Sequence, residues 1–184
     1  MSTSPLFRDL TREESLALLE RNHVGRLAYA HGNHVDLEPV SYVYAEGWIY
    51  GRTSEGKKTE MTGSTWWPVV FEVDEVTNQF HWDSVVVHGG FYTLSSAGAP
   101  WERKEYERAV ELLRTLIPET FTADDPTPFR NVVFRVAVQE VREAVRPETL
   151  DRVRPRLALG EQGRVGRLDD DEAHVRVLLA QIAA

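Results

Sequence analysis

VGRLAYAHGNHVDLEPVSYVYAEGWIYGR, residues 24–52, carries the pattern from which the architecture follows. It holds three runs rich in β-branched and aromatic residues, Val24 to Ala30, Val35 to Tyr44 and Trp48 to Arg52, which predict strands. His31-Gly32-Asn33 and Glu46-Gly47 separate them, and connections this short join antiparallel neighbours. Working outward, Val69 to Val76 and Ser84 to Leu94 have the same texture, with no long helical pattern between them. Five such runs within residues 24–94 argue for a closed or nearly closed antiparallel barrel rather than a parallel α/β sheet. Asn131 to Val141 adds a sixth, with Val132, Phe134, Val136 and Val138 on one face and Arg135 and Gln139 on the other.

Helices are predicted at the flanks. Thr11 and Glu14 have the spacing of a capping box, and Leu16, Leu18 and Leu19 give the helix that follows an apolar face ending near Asn22. Between Trp101 and Ile117, Tyr106, Ala109, Val110, Leu113 and Ile117 recur at helical spacing. Asp124 to Pro128 reads as a turn. Residues 146–168 are rich in arginine and proline without a period, and Asp169 to Asp171 would cap a last helix bearing Val175, Leu178, Leu179 and Ile182. The expected organisation is a mainly β (α+β) barrel domain over residues 1–145 and an extension, 146–184, that ends in a helix.

Composition narrows the function classes. A chain of 184 residues with 42% hydrophobic content can bury a core. It has no cysteine, hence no disulfide, thiolate metal site or thiol nucleophile. Neither a leader-like apolar segment nor a bilayer-length run is visible, so a cytoplasmic protein with no membrane partner is expected. With 29 acidic against 21 basic residues the net charge is −8, which disfavours nucleic acid as a partner. His23, His31, His34, His81, His88 and His174 show no metal-ligand spacing, so no metal site is expected.

Against this acidic background, Arg52-Thr53-Ser54-Glu55-Gly56-Lys57-Lys58 follows directly on a predicted strand. Arg52, Lys57 and Lys58 offer cations, Thr53 a hydroxyl and Gly56 an unobstructed amide, a set that satisfies several phosphate oxygens at once. The loop alone reads equally well as a solvated basic turn. Pro39, inside a predicted strand, calls for an edge or a bulge, where neighbouring backbone groups stay free for a ligand or where the proline discourages aggregation.

Five stretches in this order resemble the pyridoxamine 5'-phosphate oxidase-like family of FMN-binding split barrels, in particular the branch with the Nim-type nitroimidazole reductases. They are Val24-Gly25-Arg26-Leu27-Ala28, Glu38-Pro39-Val40-Ser41-Tyr42, the Arg52 to Lys58 loop, Phe71-Glu72-Val73-Asp74, and Trp82-Asp83-Ser84-Val85-Val86-Val87-His88-Gly89. The resemblance implies a six-stranded antiparallel split barrel and a homodimer with FMN in the clefts between subunits. It puts the FMN phosphate at Arg52, Thr53 and Lys58 with Lys57 nearby, and the isoalloxazine against Val40, Ser41, Trp82 and Ser84. Relatives of this barrel also use a deazaflavin or haem. Nim-type members carry a histidine where this chain has Gly51, so nitroimidazole reduction is not carried over. The arginine and histidine set that holds substrate in true pyridoxamine phosphate oxidases has no counterpart either, although Arg154-Pro155-Arg156-Leu157 has a superficial likeness to part of it.

The function expected is a flavoprotein oxidoreductase passing electrons to a small acceptor. No catalytic acid or base is named, because the cofactor carries the chemistry. The alternative is a non-enzymatic flavin-binding or assembly module on the same scaffold.

Overall fold

Alternating hydrophobicity from Val24 onward builds a ring of strands in the computed structural model, which describes residues 6–31, 33–56, 59, 67–78, 81–142 and 145–148. A short strand β1 (Leu6–Asp9) and a helix α1 (Arg12–Arg21) come first. Then follow β2 (Val24–His31), β3 (His34–Ala45), β4 (Trp48–Thr53), β5 (Trp67–Asn78) and β6 (His81–Leu94). Helix α2 (Pro100–Leu116) leads to β7 (Val132–Ala137), β8 (Glu140–Arg142) and β9 (Val145–Glu148). The order β5-β2-β3-β4-β7-β6, with β5 paired back onto β6, closes a six-stranded antiparallel barrel. Pairing of β5 onto β6 removes the two edges that an open sheet would leave there.

The inward residues of each strand fill the ring: Leu27, Tyr42, Ile49, Phe71, Val73, Val85, Val87 and Phe134 are all buried. Helix α1 packs Leu18 and Leu19 onto this core, and the Tyr42 hydroxyl donates to the Leu19 carbonyl at 2.9 Å. Its start is the capping box read from the sequence. Thr11 Oγ1 accepts from the Glu14 N–H at 3.2 Å, and Glu14 Oε2 accepts from the Thr11 N–H at 2.8 Å. The other face of β4 is covered by α2, whose Ala109, Val110 and Leu113 lie buried, the first two clustered with Tyr50, Leu94 and Val133. β4 is therefore buried without alternation from Ile49 to Thr53, as a strand covered on both sides must be.

Two features depart from the sequence reading. The sixth strand, predicted as one run to Val141, is broken after Ala137. β7 pairs with β4 and with the end of β6, whereas β8 pairs with Val86 to His88 of β6. Gly89 of β6 is the reason, because the Ala137 carbonyl occupies the space its Cβ would need. The second departure is β9. Val145 to Glu148 straddles the boundary expected after residue 145 and forms a strand that pairs antiparallel with β1. The helix expected near the C-terminus lies outside the described residues. Among those described, no helix is long and apolar enough to cross a membrane.

Candidate functional site

Strands β3 and β4 share a ladder only from Tyr42 facing Gly51 to Ala45 facing Trp48. Beyond Gly51 they part. Residues 34–41 of β3 pair with β2 alone, and Arg52 and Thr53 of β4 pair with Val133 and Val132 of β7. This fork brings four expected site residues to one place, Val40 and Ser41 on one prong and Arg52 and Thr53 on the other. Val40 and Thr53 are buried and Ser41 half-buried. Pro39 sits on the unladdered flank of β3, the edge setting its ring requires.

Gly56 follows the second prong. Its N–H donates to Thr59 Oγ1 at 2.9 Å, so the amide expected to be unobstructed already has a partner. Nothing lies within 4 Å of where a Cβ would stand, so the approach to its backbone is open. Lys57 and Lys58 lie outside the described residues.

Arg52 is a buried residue, 6% exposed, and not the free cation its place in the sequence suggests. Its Nη1 donates to Asp125 Oδ2 at 2.5 Å, and its Nη2 donates to Asp125 Oδ1 at 2.9 Å and to Thr127 Oγ1 at 2.8 Å. Asp125 also accepts from the backbone N–H groups of Phe121 and Thr127, at 2.8 and 2.9 Å. Hydrogen bonding from Arg52, aided by the two backbone donors and the guanidinium charge, holds the Asp125 carboxyl far below the usual carboxylate range. The Phe121 ring lies 5.4 Å from the guanidinium carbon.

Trp82 and Ser84 stand elsewhere, at the start of β6, with β5 and β2 between them and the fork. They line a groove of about 480 Å³ with Arg26, Glu72, Asp74 and Val76. Arg26 Nη1 donates to Glu72 Oε2 at 2.8 Å and also to Asp74 Oδ1, and the Ser84 hydroxyl donates to Glu72 Oε1 at 3.4 Å. Hydrogen bonds to Asp74 and then Glu72 raise the Arg26 pKa, so the guanidinium stays charged. Past Arg26 and Asp74 a second groove, about 360 Å³, continues to His23 and Pro39. The two grooves thus lead along the outer sheet face from the Trp82 indole to the flank of β3.

Sequence reasoning missed Arg26 and Asp125 as members of these groups. The stretches Val24 to Ala28 and Phe71 to Asp74 had been singled out, but which charges on them meet depends on the β2–β5 register, in which Arg26 faces Glu72. Gly51 takes the place of the Nim-type histidine, and a Cβ there would collide with the Phe134 ring directly across on β7. That ring is fully buried and stacked on Phe91, with centroids 4.8 Å apart. Among the described residues no group of three or more His, Asp or Glu side chains is placed to hold a metal ion.

Comparisons with known proteins agree on the architecture. A FAD-binding protein from Mesorhizobium loti shares 26% identity and superposes with a TM-score of 0.62 over 78% of this chain and 99% of its own. A FAD-binding protein from Mycobacterium smegmatis, 20% identical, has a TM-score of 0.53 over 77% of this chain and 100% of its own. A putative 5-nitroimidazole antibiotic resistance protein from Bacteroides thetaiotaomicron, 16% identical, has a TM-score of 0.55 over 78% and 90%. At these identities the last two speak for the fold alone. No curated protein matches the chain. The family model described as pyridoxamine 5'-phosphate oxidase matches residues 11–145, which span α1 and the whole barrel, and the chain belongs to that family.

Proposed function

We propose that this chain binds flavin mononucleotide and serves as a flavin-dependent oxidoreductase for a small acceptor, in a homodimer with a cofactor in each cleft between subunits. The observation that carries the reading is the fork at Gly51: the barrel wall opens between Ser41 and Arg52, immediately before the sequence Ser54 to Lys58. Among the described residues, backbone groups of β3 beside Pro39 have no ladder partner on the open flank, and such groups seek hydrogen bonds. The polar edge of a planar ring system meets that need.

The open space at Gly56 suits the approach of a phosphate, with Lys57 and Lys58 next in sequence to supply charge-assisted hydrogen bonds. Because Arg52 is engaged by Asp125, the direct phosphate contacts in this reading fall to the lysines and the Gly56 region, with Thr53 behind them. Trp82 and Ser84 contribute a ring face and a hydroxyl at the other end of the outer groove. A flavin held here would supply reversible two-electron transfer. The protein's part is to orient the ring, to shield one face from water and to select by charge.

The dimer is supported by an apolar row on the same outer face. Ala28 faces Leu37 and Ala30 faces Val35 across β2 and β3, with Leu37 61% and Val35 76% exposed. Val69 and Val70 of β5 and Pro68 border the same shallow depression. Exposed apolar area gathered in this way calls for a cover, and a second copy of the chain fits.

Titration of the purified protein with FMN, FAD and riboflavin, followed by anaerobic addition of NADH and NADPH, tests the reading. FAD belongs in the series because it contains the same ring and first phosphate as FMN. Tight FMN binding with bleaching of the flavin band on reduction supports it. A protein that binds no flavin overturns it, and bound flavin that no donor reduces supports the non-enzymatic module. Light scattering after gel filtration should report a dimer, and a folded monomer holding flavin would contradict the cleft.

A further inference from the structure

We infer that Asp125 is a positioning residue of the cofactor site: acting through Arg52, it fixes the end of β4 at the fork in the geometry from which the following loop meets the phosphate. The inference rests on the flavin reading above.

The need for such a device follows from the ladder. Up to Gly51, β4 is held by β3 on one side and β7 on the other. At Arg52 and Thr53 β3 has left, so only β7 backbone pairs with these residues. What replaces the missing strand is a side chain. Arg52 reaches into the connection between α2 and β7 and is gripped there by Asp125 and Thr127. Asp125 in turn takes four donors on its two oxygens, two from Arg52 and the N–H groups of Phe121 and Thr127. Four donors match the roughly four acceptor sites of a carboxylate, and the two-pronged contact holds the guanidinium in register with it.

A second observation points the same way. Phe121 has φ 57°, left-handed backbone that a bulky residue adopts only under constraint. Here the N–H of that strained residue is one of the donors to Asp125, and its ring lies by Arg52. Strain held in place by surrounding bonds gathers where a structure must present a fixed geometry.

Asp125→Asn keeps the shape and removes the charge, and Thr127→Val removes one of the three hydrogen bonds to Arg52. Hydrogen exchange and paired titrations with FMN and riboflavin are measured on both variants and on the wild type. For Asp125→Asn, exchange at Thr53 to Gly56 is expected to rise about 10-fold more than at Val85 and Val87, whose burial makes them report global stability. FMN should weaken by about 10-fold and riboflavin by less than about twofold. Thr127→Val should show the same pattern at about threefold, which keeps the test alive should the first variant fail to fold. Parallel weakening of both ligands, or an equal rise in exchange throughout the barrel, would reduce Asp125 to a stabilising residue and overturn the inference. So would an FMN preference that survives in Asp125→Asn with unchanged exchange. A wild type that binds FMN and riboflavin alike removes the phosphate reading itself and this inference with it.

Discussion

Arg52 and Arg26 carry the same group into opposite settings. Arg52 is 6% exposed and bound two-pronged to one carboxylate, whereas the Arg26 side chain is 47% exposed and shared between Glu72 and Asp74 on the outer face. In water an ion pair trades one hydrated arrangement for another and gains little. In the interior, removal of one partner leaves the other charge without solvent or counter-ion. The lesson is that Arg52, which the sequence offers as a free cation, is an architectural part, whereas Arg26 keeps its paired charge on the outer face.

The largest contrast should come from breaking each pair in turn. Arg52→Ala leaves Asp125 buried and unpaired and should lower Tm by roughly 10 °C, whereas Arg26→Ala should move it by about 2 °C or less. Equal shifts in a calorimetric comparison would dissolve the distinction. A smaller effect is expected at the fork's first rung. Gly51→Ala forces the Phe134 ring off its stack with Phe91 and should lower Tm by about 5 °C, the scale of an overpacked core. An unchanged Tm would mean that the ring moves freely.

The smallest effect is a dependence on pH. The Asp125 carboxyl is held below its ordinary value of 3.8, so its stabilisation is complete above that value and is lost as the pH falls through it. The Tm difference between the wild type and Asp125→Asn should be level from pH 7 to about 5 and shrink below about pH 4. A difference that shrinks near pH 6 would point to another titrating group.

The six strands were legible because alternation is a local signal: each of the six runs falls on a strand the barrel uses, although five of those strands extend past the run. Thr11 and Glu14 were legible for the same reason, since a capping box spans one turn. The break after Ala137 was not, because its cause is Gly89 on another strand. Nor was the pairing of β1 with β9, two short segments from opposite ends of the barrel domain with no period to betray them. At the site, the fork residues Val40, Ser41, Arg52 and Thr53 were placed together by reading, yet the use of Arg52 was hidden. Its partner Asp125 is 73 positions away, and nothing in a predicted turn announces a carboxylate that points inward. Arg26 illustrates the same limit, with partners 46 and 48 positions on.

The flavin reading rests on the claim that the loop after β4 anchors an esterified phosphate, and Lys58→Ala removes a cation on which that anchor depends. Dissociation constants for FMN and riboflavin are measured by flavin fluorescence on wild type and variant. The wild type should favour FMN by at least about 10-fold, and the variant should lose most of that preference while riboflavin binding is retained. A wild type without the preference, or a preference untouched in Lys58→Ala, would contradict the claim.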